Sequence, residues 1–124
     1  MPGDRGPLAV APRIWGDEVS VDGAIRISDL CVFLDRQGHE TLLVWPAATH
    51  WDPSLGHITY TNSDGSPQIF SDGNHLVFRG VISTRADGGQ TNQEWVASIM
   101  WILAPATQCL RDDRLFVDEV QIPQ

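Results

Sequence analysis

The chain has 124 residues, with 8 Arg, no Lys and 16 acidic side chains, for a formal net charge of −8. That length fits one domain, and 42% hydrophobic residues is too apolar for a disordered chain. No apolar run reaches the roughly 20 residues of a membrane span, so a soluble protein is expected, and scattered Arg on an acidic chain disfavours a phosphate-tracking nucleic-acid binder.

Residues 1–22 hold Pro2, Pro7 and Pro12 and no sustained apolar periodicity, so they read as a flexible arm. Only Leu8, Val10, Ile14 and Trp15 offer anchors, and Trp15 is the side chain expected to tie the arm down. The roughly 7–15-residue apolar stretch of a signal peptide is missing from residues 1–24. The chain is therefore expected to be cytoplasmic, or secreted or in the cell envelope if a leader has been removed.

From residue 23 onward, turn dipeptides punctuate the sequence: Asp22-Gly23, Gln37-Gly38, Leu55-Gly56, Asp64-Gly65, Asp72-Gly73 and Asp87-Gly88. Glycine there supplies the positive φ that tight hairpins need. The segments between them are short and rich in β-branched and aromatic residues, an all-β pattern. The candidate strands are 24–35, 40–45, 57–62, 67–70, 75–83 and 114–122. Within 24–35 the phase changes: Ile25 and Ile27 alternate in one register, and Leu30, Val32 and Leu34 in the other. A β-bulge at Ser28-Asp29 would account for it and would give the long, bent first strand of a small closed barrel. Pro46 ends the second candidate strand.

Segment 91–103 carries two competing patterns. Thr91 and Glu94 form a capping box, and Trp95, Ile99 and Ile102 fall on one helical stripe. Trp95, Ala97, Ile99, Trp101 and Leu103 also alternate as in a strand. The cap favours a helix, and Pro105 stops either element.

No catalytic constellation stands out. His50, Asp52 and His57 sit close together around Trp51, but their spacing matches no zinc motif and no further ligand accompanies them. His39 and His75 lie far from that group in sequence. Cys31 lies in an apolar stretch, where burial makes a thiol inert. Gly-x-Ser-x-Gly is absent, and Asp87-Gly88-Gly89 lacks the Lys of a phosphate-binding loop. The adjacent carboxylates Asp17-Glu18 and Asp112-Asp113 point to opposite faces of a strand, so they are poor acid/base partners. Residues 62–66 lack the closing Glu of a calcium loop and read as a hairpin turn. Cys31 and Cys109 are either a disulfide or two buried thiols. Among five Trp, Trp45 ends an apolar run and is assigned to the core with Trp95 and Trp101, which leaves Trp15 and a surface or semi-exposed Trp51 as the candidates for recognition.

The strand 30–34 with its Cys31, then Leu42-Leu43-Val44-Trp45-Pro46, then Asp64-Gly65, and finally Cys109 ahead of Phe116-Val117-Asp118-Glu119-Val120 form a familiar order. It resembles small bacterial proteins, many secreted or lipid-anchored, that carry a Leu-Leu-x-Trp-Pro core strand. The resemblance covers residues 25–122. It implies a barrel similar to the oligonucleotide/oligosaccharide-binding (OB) fold and a Cys31–Cys109 disulfide, and it implies no activity.

These readings converge on a mainly β, OB-like barrel of five or six strands with one short helix, spanning 23–124. A non-enzymatic binding module is expected, with no catalytic residue, metal or cofactor, and with His50, Trp51, Tyr60 and His57 as candidate ligand contacts. The ligand would be a protein, a small molecule or a carbohydrate, with nucleic acid disfavoured by the charge, and the protein a monomer or homodimer. Two alternatives make different demands. A small metal-dependent hydrolase would need His50, Asp52 and His57 in one concave pocket. An acidic inhibitor or immunity-type protein docking on a basic partner would need Asp112, Asp113, Asp118 and Glu119 in one exposed patch.

Overall fold

The computed structural model describes residues 8–12, 16–28, 31–47, 49–52, 54–61, 65, 67–84, 91–111 and 113–121. Nine strands run in the order β1 (Ala9–Val10), β2 (Glu18–Ile27), β3 (Val32–Arg36), β4 (His39–Trp45), β5 (His50–Asp52), β6 (His57–Thr61), β7 (Pro67–Phe70), β8 (His75–Thr84) and β9 (Asp113–Gln121). A helix, α1 (Asn92–Ser98), and a single 3₁₀ turn (Thr107–Cys109) lie between β8 and β9.

Five strands close into a barrel. β4 pairs with β3, β3 with β2, β2 with β8 and β8 with β9, all antiparallel, and β9 returns to β4 in parallel register. This is the expected OB-like barrel with one short helix, and β1 adds a sixth strand alongside β4. β2 is the long bent strand shared by both halves of the barrel. It pairs with β8 over Glu18–Ala24 and with β3 over Ala24–Ile27, so the hand-over falls at Ala24. Gly23 stands at that bend, where a Cβ would come within 2.5 Å of the Asp35 carbonyl oxygen.

The phase change in 24–35 has a different cause from a bulge. Ile27 pairs with Val32 and Ile25 with Leu34, so the segment is a hairpin whose chain reverses between them. Ser28 N–H donates to the Cys31 carbonyl, and Cys31 N–H donates to Ser28 Oγ, which closes the turn without a glycine. Reversal places Ile25 and Leu34 on one interior face although their sequence registers differ. Asp29 and Leu30 lie outside the described residues.

The boundary drawn after residue 22 falls inside β2. Leu8, Ala9, Val10 and Ala11 are also buried, so this part of the arm is a packed element. β1 holds on by backbone pairing to Val44 and Trp45, and Val10 N–H donates to the Leu103 carbonyl. Trp15 lies outside the described residues.

Two clusters form the core. The barrel interior holds Ile25, Leu34, Leu43, Phe78, Leu115 and Val117. β5, β6 and β7 make a separate antiparallel meander inserted between β4 and β8, and its Ile58, Tyr60 and Phe70 join that interior. Trp45 is fully buried among Tyr60, Phe70 and Phe78, with ring centroids 6.0–6.2 Å away. The second cluster lies on the other face of β3, β4 and β9, where Phe33, Leu42, Val44 and Phe116 pack against Trp95 of α1 and the two cysteines. These strands are buried on both faces, which explains their unbroken apolar runs in place of alternation.

The helix expected over 91–103 forms only over Asn92–Ser98. Thr91 caps it, its side chain accepting from Glu94 N–H while the Glu94 carboxylate accepts from Thr91 N–H. Ile99 is already extended, so the strand-like reading of 99–103 also holds in part, with Leu103 bridged to Val10. Trp95 and Trp101 pack edge to face at 5.5 Å, as core Trp should. Cys31 and Cys109 form a disulfide with Cα atoms 5.4 Å apart. Closing a loop across a separation of 78 residues contributes about 4–5 kcal/mol.

Candidate functional site

The polar surface with concave shape surrounds the β3–β4 hairpin tip. Gln37 and Gly38 both have positive φ (57° and 86°), the geometry of a two-residue hairpin that follows the sheet's twist. Asp35 Oδ1 accepts from Gly38 N–H at 2.8 Å and fixes the tip. On one side an open hollow of about 480 Å³ is lined by Asp22, Gly23, Ala24, Asp35, Arg36, Gln37, Gly38 and His75. On the other, a hollow of about 420 Å³ is lined by Asp35, Gly38, His39, Glu40, Arg111 and Asp113. Asp35 and Gly38 border both.

Each hollow contains a His–carboxylate pair. His75 Nε2 lies 3.1 Å from Asp22 Oδ2, and His39 Nε2 pairs with Asp113 Oδ2. Arg26 lies 3.4 Å from Asp35, and Arg111 donates to Glu40 Oε1 through Nε and Nη2 at 3.2 and 3.1 Å. Arg111 also donates to the carbonyls of Gln108 and Leu110, and its guanidinium covers the Phe33 ring at 4.4 Å from the centroid. Most of these side chains are exposed, so each ion pair contributes little stability. Together they set four carboxylates, each beside a basic or imidazole group, around the hairpin tip.

A second charged cluster sits where β2, β8 and β9 meet. Arg79 Nε lies 3.1 Å from Glu18 Oε1, and Asp118 and Glu119 lie close by. Glu18's carboxyl is raised above the usual 4.5, first by its hydrogen bond to Asp118, then by lost hydration and the negative charge of Asp118; Arg79 opposes the shift. Glu94 is lowered instead, by the hydrogen bonds it accepts from the Thr91 backbone and side chain.

The sequence-derived ligand contacts do not share one surface. His50 is exposed, Asp52 lies opposite His57 across the β5–β6 ladder, and alternation puts these three side chains on the outer face of the meander. Trp51 points the other way and packs, half-buried, against the barrel core. Tyr60 is fully buried and its hydroxyl donates to the Asp118 carbonyl, so it is a core residue and not a surface contact. The reason is parity: Tyr60 shares the inward face with Ile58.

The demands of the alternatives meet specific geometry. Asp52 Oδ1 accepts from the N–H groups of Ser54 and Leu55, which ties it to its own turn. Neither hollow is lined by His50, Asp52 or His57, and no group of three metal-ligating side chains occurs among the described residues. The carboxylates named for an inhibitor spread along β9, Asp113 beside His39 and Asp118 with Glu119 beside Arg79. Asp112 lies outside the described residues, as do Asn62, Ser63, Asp64, Ser66 and Asp87-Gly88-Gly89.

The sequence alone gives His39 and His75 no role. A signal was present: each is the first residue of a strand that follows a turn. Their partners were not readable, since Asp113 and Asp22 are 74 and 53 residues distant in sequence. Comparison with protein-family models, curated proteins and solved structures finds no match to this chain. No helix among the described residues is long and apolar enough to cross a membrane.

Proposed function

We propose that the protein is a non-enzymatic binding module that meets a cationic peptide segment at the β3–β4 tip. The observation that carries this reading is the pair of adjoining hollows, which place the carboxylates Asp22, Asp35, Glu40 and Asp113 around one rigid turn. The net charge of −8 supports it, because long-range attraction raises the encounter rate with basic partners. Each carboxylate has a basic or imidazole partner that orients it: Asp22 with His75, Asp35 with Arg26, Glu40 with Arg111 and Asp113 with His39. The disulfide supports an oxidising compartment, hence a secreted or cell-envelope location.

The test is a titration of ¹⁵N-labelled protein with a lysine-rich decapeptide at low salt. Amide shifts at Asp22, Asp35, Gly38, His39 and Glu40, weakened by raised salt and by Asp35→Asn, are the expected result. Shifts confined to the outer face of the meander, or none at all, would sink the reading. Parallel titrations with an oligosaccharide and with single-stranded oligothymidylate separate the other ligand classes; a tighter, salt-steep response to the DNA would replace the proposal.

A further inference from the structure

In OB barrels the ligand face is the outer surface of the second and third barrel strands, gripped by the loop between the first two strands and the loop between the last two. Here those strands are β3 and β4. Their outer surface, with Phe33, Leu42 and Val44, is not open to solvent. The chain's own β8–β9 connection lies on it. Trp95 seats against Phe116 with ring centroids 6.1 Å apart, and the Arg114 guanidinium covers the Trp95 ring at 4.2 Å. Trp101 braces Trp95 from the solvent side and donates its indole N–H to the Val96 carbonyl.

The disulfide has a definite place in this arrangement. Cys31 is in the β2–β3 connection and Cys109 in the β8–β9 connection, so the bond joins the two loops that border the ligand face. The segment it holds has little regular structure of its own. α1 spans 7 residues, and 99–111 contains only a 3₁₀ turn and the bridge of Leu103 to Val10. Met100 is 85% and Ile102 47% exposed, so part of the segment's apolar surface contributes nothing to holding it down. By contrast, the strands beneath are locked into a closed ladder.

We propose that the Cys31–Cys109 disulfide is the latch of a cover. With the bond intact, residues 91–111 occlude the aromatic face of the barrel; with the bond reduced, the cover lifts while the barrel stays folded. The reductant is a dithiol. One thiolate attacks Cys31 Sγ, the Cys109 sulfur leaves as a thiolate and takes up a proton, and the second thiol of the reductant then displaces Cys31 and closes into a cyclic disulfide. Two electrons and two protons pass to the protein, giving two free cysteines. Lifting exposes Phe33, Leu42, Val44 and Phe116, with Arg114 of β9 beside them. The device shares Arg111 with the binding surface proposed at the hairpin tip, whose other lining residues lie outside the cover.

Hydrogen exchange tests it on the full chain, oxidised and after treatment with dithiothreitol, with thiols titrated in each sample. The Cys31→Ala/Cys109→Ala double variant provides the unlatched form without reductant. The expected result is at least a tenfold loss of protection at Trp95, Ile99 and Leu103 in both unlatched forms, unchanged protection in β2 and β8, and a several-fold rise in 8-anilinonaphthalene-1-sulfonate fluorescence. Unchanged protection across 91–111 with two thiols titrated would overturn the proposal. Equal loss of protection in β2 and β8 would overturn it too, showing a staple of the whole fold. Failure of dithiothreitol to release any thiol from the native protein would rule out a latch that opens by reduction.

Discussion

The hydroxyl of Tyr60, in the meander strand β6, donates to the main-chain carbonyl of Asp118 in barrel strand β9. That carbonyl belongs to an irregular position. Arg79 pairs with Glu119 and the next residue, Gly80, with Val117, so Asp118 is the extra residue of a β-bulge. The bond therefore ties the inserted meander to the one break in the β8–β9 ladder. Tyr60→Phe removes the donor and leaves the part-buried carbonyl with one partner fewer. It should cost about 1–3 kcal/mol, read as a lower urea midpoint with an unchanged slope. A loss near zero would mean that the meander is held by its apolar packing rather than by this bond.

Gly80 faces the bulge across the ladder, where a Cβ would come within 2.0 Å of the Phe116 carbonyl oxygen. No side-chain rotation relieves a contact with backbone. Gly80→Ala should lose at least about 3 kcal/mol or fail to fold. Gly38→Ala is the control. Its Cβ would enter open space, so only the positive φ is penalised, at about 1–2 kcal/mol. Thermal unfolding of both variants decides whether close approach or backbone conformation sets the cost.

The barrel was legible because its strands announce themselves locally. Gln37-Gly38 marks a hairpin, Asp72-Gly73 marks the turn from the meander into β8, and the Val/Ile/Leu runs of β3 and β4 mark strands buried on both faces. The β2–β3 turn was hidden because Ser28 and Cys31 close it by side-chain and backbone hydrogen bonds, with no Gly or Pro between them. β5 was hidden because its outward His50 and Asp52 make a three-residue strand look like loop. The candidate site was less legible than the fold. His39–Asp113 and His75–Asp22 meet only once the barrel has closed, and periodicity within one strand says nothing about partners from another. Tyr60 was misassigned because it and Trp51 share the inward face of the meander, and which face that is depends on where the meander docks, which β5 and β6 do not encode locally.

The helix that anchors the cover depends on its cap. Thr91→Ala removes the acceptor for Glu94 N–H and should cost about 1 kcal/mol, or roughly 3–5 °C in Tm. Glu94 has a folded pKa below 4.5, so its contribution is present above that value and is lost as pH falls through the folded pKa. Protection of the Trp95 amide should therefore decline in acid in the wild type and decline less in Glu94→Gln. Parallel acid profiles for the two proteins would show that the cap carboxylate does not hold α1.

Glu18 has the opposite sign. Its folded pKa lies above 4.5 because its protonated carboxyl hydrogen-bonds to Asp118. The folded state thus binds this proton more tightly than the unfolded state does. The resulting stabilisation is complete below 4.5 and disappears as pH rises through the folded pKa, leaving two like charges beside each other at neutral pH. Glu18→Gln keeps a donor for Asp118 and removes the repulsion, at the expense of the exposed pair with Arg79. The variant should be at least as stable as the wild type at pH 7 and should lose its advantage as pH falls toward 4.5, when the wild-type carboxyl becomes protonated. Urea midpoints of the two proteins between these limits measure the difference directly. A wild type that is more stable at pH 7 and converges with the variant in acid would mean that the Arg79 pair outweighs the Asp118 repulsion.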